Sequence, residues 1–257
     1  MSRVFLDVGA HTGQTVDVVL DPIFAFDRVV CFEPARASQT VLARIADPRV
    51  RVEPFGLWNT TCEREIFEPG RKGASIFADK NRIDARVREV CRLVRAADWF
   101  REHLTTEDAV FLKLNCEGCE CDIVEDLLDS GEFRKVASAL IFLDVEKIPS
   151  QAHRAEELRQ RLRQEGHVRH HFAGEFPAGS HRRRIHAWLT SSGATVSSPG
   201  VRVRQWRYDV RRGLIGATNG ALNAGALRLL RKVVPVSLYA QMQSAWRRAQ
   251  GRRAGSG

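Results

Sequence analysis

At 257 residues, with 44% hydrophobic and 28% charged side chains, the chain is long enough for one large α/β domain with an ample core. No apolar run reaches the ~18 residues that a membrane-spanning helix needs, and Asp7 interrupts the N-terminal apolar run too early for a secretory leader, so a cytoplasmic protein is expected. The net charge of +9 is unevenly placed: residues 201–257 carry 12 Lys or Arg against one acid, and residues 1–200 carry 28 against 30. That distribution counts against a generally nucleic-acid-binding body and points to a basic appendage, suited to an anionic membrane, a phosphorylated substrate or a partner, or simply solvated.

The chain opens on Val4-Phe5-Leu6, a run typical of a strand buried on both faces, which stops at Asp7 and enters the turn Gly9-Ala10-His11-Thr12-Gly13. Gly9 allows positive φ or close backbone approach, and Thr12 or Thr15 could cap a helix across His11 to Leu20. Val29 to Phe32 forms a second strand ending at Glu33-Pro34. Glu33 lies 26 residues after Asp7, about one βαβ unit, so a right-handed parallel crossover sets both carboxylates at the carboxyl edge of adjacent strands. A carboxylate there can accept both hydroxyls of a ribose diol.

A helix is expected over Ser38 to Ile45 and a third strand over Val50 to Phe55, leading to Gly56-Leu57-Trp58-Asn59, where Leu57 or Trp58 could wall an adenine and Asn59 pair with it. Short extra strands are read at Glu65 to Phe67 and Val87 to Val94, around a glycine-flanked loop carrying Arg71, Lys72 and Ser75 that could meet a substrate. A helix over Ala96 to His103 precedes a core strand, Ala109 to Leu114, which ends in Asn115, Glu117 and Glu120. The next strand, Ala139 to Leu143, ends at Asp144 and Glu146, and a charged helix follows over Ser150 to Glu165. His167 to Phe172 and Arg184 to Leu189 are expected as a closing antiparallel pair. His181 opens a basic run with Arg182 to Arg184 that could meet a phosphate or form a solvated loop.

Six cysteines, with no sign of export, predict free thiols. Cys116, Cys119 and Cys121 lack a matching second half for structural zinc, and no metal site is expected.

Three segments, DVGAHTG at residues 7–13, CFEP at 31–34 and LKLNCEGCECDIVEDLL at 112–128, resemble in order and spacing the FkbM family of S-adenosylmethionine-dependent methyltransferases. The similarity runs from about residue 3 to 190. It implies a Rossmann-like class I methyltransferase domain over residues 1–199, with a mostly parallel seven-stranded sheet, helices on both faces and an antiparallel last strand. S-adenosyl-L-methionine is the implied cofactor. Asp7, Gly9, Ala10, His11 and Gly13 would surround its methionyl part, Glu33 would hold its ribose, and Leu57 and Trp58 would lie near its adenine. The implied acceptor is a hydroxyl of a carbohydrate, lipid-linked sugar or secondary metabolite. Glu117 is the candidate base or substrate anchor. Asn115, beside it, could contact cofactor or substrate, yet stands where the family usually has aspartate; an amide takes no proton, so a catalytically degenerate binding module is an alternative.

A linker at Ser197 to Gly200 precedes a basic extension over residues 200–257, in which Leu238, Met242 and Trp246 make an amphipathic stripe beside Arg247 and Arg248. This suits an anionic membrane surface, self-association or cover for the sheet. An RNA methyltransferase is a lower-ranked alternative resting on the same basic residues.

Overall fold

The apolar run after Met1 becomes β1 (Arg3–Val8) in a computed structural model that describes residues 1–166, 169–176 and 179–196. The other elements follow in chain order as α1 (Val16–Val19), β2 (Arg28–Phe32), α2 (Arg36–Leu42), β3 (Val50–Glu53), β4 (Gly56–Trp58), β5 (Cys62–Phe67), β6 (Arg88–Arg95), α3 (Ala96–His103), β7 (Ala109–Leu114), α4 (Glu120–Asp129), β8 (Val136–Ile141), α5 (Arg154–Gln164), β9 (His170–Phe172) and α6 (His181–Ser191). Of the described residues, Met1–Thr195 form one compact unit. The linker and the basic extension from residue 200, with the amphipathic stripe expected near its end, lie outside the described residues.

Among the described residues six strands form one sheet in the order β3-β2-β1-β7-β8-β9, every neighbouring pair parallel. This is the doubly wound, Rossmann-like order. The chain steps outward from β1 to β3, then returns to the other side of β1 with β7, so the connections diverge between the carboxyl ends of β1 and β7. Alternate residues of β1 serve the two faces. Val4, Leu6 and Val8 pack with Trp99 and Phe100 of α3 and Ile123 and Leu127 of α4, while Phe5 packs with Val16 and Val19 of α1 and with Trp188 of α6. Both faces are covered, which is why the parallel strands read as continuous apolar runs.

Several expected elements shift. The seven-stranded sheet with an antiparallel last strand is replaced by six parallel strands, β9 pairing parallel to β8. The segment expected as the closing strand is the interior of α6. Its cause is local: the Ser180 side chain caps the helix by accepting the Arg183 N–H, and Ile185, Trp188 and Leu189, at helical spacing, are all fully buried. Trp188 also donates from Nε1 to Ser138 Oγ at 2.9 Å, tying α6 to β8. The helix expected across His11 to Leu20 shrinks to α1, because His11 and Gly13 both hold positive φ (50° and 84°), which ends helical geometry. The expected third strand, Val50 to Phe55, shortens to β3 in the main sheet, and Gly56–Trp58, expected as a loop after it, forms β4 of a separate sheet of order β4-β6-β5. Among the described residues no helix is long and apolar enough to cross a membrane.

Candidate functional site

The turn after β1 is built from its own backbone. Gly9 and Ala10 both donate N–H groups to Phe32 O at 3.1 Å, Gly13 N donates to Ala10 O at 2.9 Å, and His11 N donates to Glu33 Oε2 at 2.7 Å. Gly9 lies so close to the end of β7 that an added Cβ would stand 2.0 Å from Asn115 O. Beneath the turn, Lys113 of β7 is 1% exposed and directs its ammonium at Val8 O (3.2 Å), Gly9 O (2.9 Å) and Asp7 Oδ1 (2.8 Å). The Asp7 contact meets the distance of an ion pair without the alignment of a hydrogen bond, so its attraction is chiefly coulombic.

Glu33 closes β2 and is 6% exposed. Its two carboxylate oxygens accept one backbone N–H each, His11 at Oε2 and Ala35 at Oε1 (2.9 Å). Burial pushes this carboxyl above its usual range, while those two donors and the nearby His11 and Lys113 pull it back. A carboxylate offers about four lone-pair positions, so about two remain for a ligand.

Along this edge lies a cavity of about 280 Å³. Its lining includes the apolar Leu57, Ile66 and Leu93 and, after β7, Asn115, Cys116 and Glu117. A flap between β5 and β6 covers it and is tied down at three points. His11 Nε2 meets Gly70 O at 3.1 Å, Ser75 Oγ donates to Glu117 O at 2.7 Å, and Lys80 Nζ donates to Glu117 Oε2 at 2.7 Å as well as to Gly73 O.

Glu117 sits at φ 58°, a conformation held from below. Fully buried Glu120, at the start of α4, accepts the N–H groups of Cys116 and Gly118, each at 3.0 Å, clamping the backbone on both sides of Glu117. Gly118, at φ 133°, could not carry a Cβ without meeting Ile148 at 2.4 Å. Burial, and secondarily the neighbouring Asp144, pushes the Glu120 carboxyl up to about 8. An acid whose folded pKa is raised contributes stability that is full below its ordinary value and is lost as pH climbs through about 8. The unfolding free energy of wild type relative to Glu120→Gln is therefore expected to fall between pH 5 and pH 8 in urea titrations. Parallel pH profiles for the two proteins would contradict it.

The cavity thus brings together Gly9, Ala10, His11, Glu33, Leu57, Asn115 and Glu117. Three expected cofactor residues lie elsewhere. Asp7 is fully buried beneath the turn as the partner of Lys113. Gly13 packs toward Ile45 and Leu42, where an added Cβ would stand 3.0 and 3.2 Å away. Trp58 turns away from the cavity, its ring under the Arg64 guanidinium at 4.8 Å and its Nε1 donating to Asp122 at 2.9 Å. Asn59 also bonds Asp122, at 3.2 Å, and is not among the residues that line the cavity. Lys113 lines the cavity without having been expected there, the available signal being a lysine inside an apolar strand. His181, expected to open a basic run that could meet a phosphate, lines it too, from the start of α6 rather than from a loop. All six cysteines are free, and the described residues contain no group of three or more His, Cys, Asp or Glu arranged to hold a metal ion.

No protein-family model and no curated protein sequence matches the chain. Among solved structures, the crystal structure of methyltransferase FkbM from Methylobacillus flagellatus KT is similar over 50% of this chain, at 20% sequence identity and a TM-score of 0.33. The matched region covers 30% of that protein. A likeness of this size carries no functional argument, and what the chain itself presents is a Rossmann-like α/β fold with a cavity at its switch point.

Proposed function

We propose that the chain is an S-adenosylmethionine-dependent methyltransferase that O-methylates a hydroxyl of a carbohydrate, lipid-linked sugar or secondary metabolite. The observation that carries this reading is how the glycine turn uses its hydrogen bonds. The N–H groups of Gly9, Ala10, His11 and Gly13 are all consumed within the protein, one of them by the Glu33 carboxylate. A pyrophosphate needs such donors free, and in this turn they are not. A nucleoside without phosphate, its ribose diol donating to the remaining lone pairs of Glu33, fits the same residues.

S-adenosylmethionine, when bound, supplies a methyl carbon on a good leaving group. What the chain adds is binding and orientation. Leu57, Ile66 and Leu93 offer an apolar wall for a purine. Asn115 can hydrogen-bond but takes no proton, so the base role falls to Glu117, whose Oε2 is engaged by Lys80 and which has Oε1 to accept a hydroxyl proton. The flap, tied to Glu117 through Ser75 and Lys80, holds that carboxylate in place at the cavity.

Calorimetric titration with S-adenosylhomocysteine tests the cofactor. Wild type is expected to bind, and Glu33→Ala to bind at least about tenfold more weakly, since a hydrogen bond to a charged group is worth about 1.5–3 kcal/mol. Absence of binding by wild type, or equal affinity in a folded Glu33→Ala, overturns the assignment. Release of S-adenosylhomocysteine with a hydroxyl acceptor then separates an enzyme from a module that binds without turnover.

A further inference from the structure

Part of the cavity lining, on α6 and the flap, is not used by the nucleoside reading. His181, the first residue of α6, lines the cavity together with Lys72 of the flap. Arg184 stands one turn further along α6. Its guanidinium lies 5.7 Å from the centre of the Phe142 ring, whose other neighbour is the His181 imidazole at 5.8 Å. Most other charges around the cavity are matched: Lys113 by Asp7, Glu117 by Lys80, and Arg71 by Glu68. Glu33 is met by two backbone N–H groups. Among the described residues, no ion pair involves Lys72, which lines the cavity, or Arg184, which lies outside the lining but near enough to His181 to act on it, so two positive charges beside His181 are unbalanced.

His181 is consistent with that field. Burial first, and then the cations Lys113, Arg184 and Lys72 against the opposing Asp7, drive its imidazole down to about 4, so it is neutral at physiological pH. It shares one hydrogen bond with Thr15, Nε2 to Oγ1 at 2.9 Å. Whichever partner donates, the pair keeps one spare hydrogen: either the Thr15 hydroxyl proton or the proton on His181 Nδ1. One unmatched cation in the lining, a second near His181 and a spare neutral donor form the complement of an oxyanion.

We propose that Lys72, Arg184 and the His181–Thr15 pair form an oxyanion subsite that takes the carboxylate or phosphate group of a ligand bound in the cavity. The subsite itself stands on the charges around His181 and does not depend on the identity of the cofactor. Assigning its occupant to the methyl acceptor, which would then be an anionic hydroxyl compound such as a sugar phosphate, rests on the methyltransferase reading; the other source of the same chemistry is the cofactor's own carboxylate.

Sulfate, which stays fully charged across the working pH range, is the probe, titrated by calorimetry into the full-length protein. Lys72→Ala and Arg184→Ala are each expected to weaken sulfate binding about tenfold, with affinity falling as sodium chloride rises. Arg183→Ala, on an exposed position of α6, is expected to match wild type. Sulfate that still binds protein saturated with S-adenosylhomocysteine assigns the subsite to the acceptor. Sulfate displaced by S-adenosylhomocysteine but not by 5′-methylthioadenosine, which lacks the carboxylate, assigns it to the cofactor. Failure of wild type to bind sulfate, or equal affinity in all four proteins, overturns the proposal. If S-adenosylhomocysteine itself does not bind, the methyltransferase reading fails while the sulfate comparison still reports on the subsite.

Discussion

Replacing Lys113 by methionine is expected to destabilise the protein by about 3–5 kcal/mol, the range for removing one partner of a buried ion pair. Both members are shielded from water, Lys113 at 1% and Asp7 at 0% exposure, so the orphaned Asp7 carboxylate would find no solvent to replace the ammonium. Two carbonyls, Val8 O and Gly9 O, lose a donor in the same step. Methionine is close in volume, so the effect is electrostatic rather than a cavity. With a urea m-value of roughly 2 kcal/mol/M, the unfolding midpoint should drop by about 1.5–2.5 M. The double variant Asp7→Asn, Lys113→Met removes both charges and should recover most of that loss, because well-packed neutral replacements of buried pairs are often neutral in stability. A single-variant loss below about 1 kcal/mol, or no recovery in the double variant, would show that the pair is not what holds the turn.

This pair also marks what could be read from the amino-acid order and what could not. β1, β2 and β7 were legible because strands buried on both faces are continuous apolar runs, and the separation of Asp7 from Glu33 set the length of the first crossover. The same runs concealed the distribution of roles. Asp7 looks like a ligand-facing carboxylate at a strand end, but its register opposite Lys113 turns it into the inner half of an ion pair. Only pairing across strands decides that, and pairing is not local. α6 failed for a different reason: its buried stripe is three residues, Ile185, Trp188 and Leu189, set among exposed Arg182, Arg183, His186 and Thr190. Too short a stripe for periodicity alone, it is settled by the Ser180 cap. The flap was legible as a loop rich in polar residues, yet its closure over the cavity rests on contacts between residues 59 apart (His11 to Gly70) and 42 apart (Ser75 to Glu117).

Gly9→Ala is expected to be the most damaging single-carbon change at the site, and Gly131→Ala supplies its internal control. The two glycines share nearly the same backbone, φ 75° and 73°, so the penalty for placing an L side chain in the left-handed region, about 1–2 kcal/mol, is common to both. They differ in surroundings. An added Cβ at Gly131 meets nothing within 4 Å, whereas at Gly9 it would lie 2.0 Å from Asn115 O and 2.8 Å from Asn115 C, both backbone atoms that cannot rotate away. Relief therefore requires the ends of β1 and β7 to separate, which strains the Asn115 N–H bond to Val8 O and the Lys113 bond to Gly9 O. Adding an overpacking cost of about 1–3 kcal/mol, Gly9→Ala should lose about 2–5 kcal/mol against about 1–2 for Gly131→Ala. Because the displaced atoms line the cavity, S-adenosylhomocysteine affinity should fall by more than about tenfold for Gly9→Ala and stay unchanged for Gly131→Ala, measured below the unfolding temperature of each. Equal losses of stability in the two variants would mean that the close crossing of β1 and β7 carries no penalty, and that the glycine is needed only for its φ.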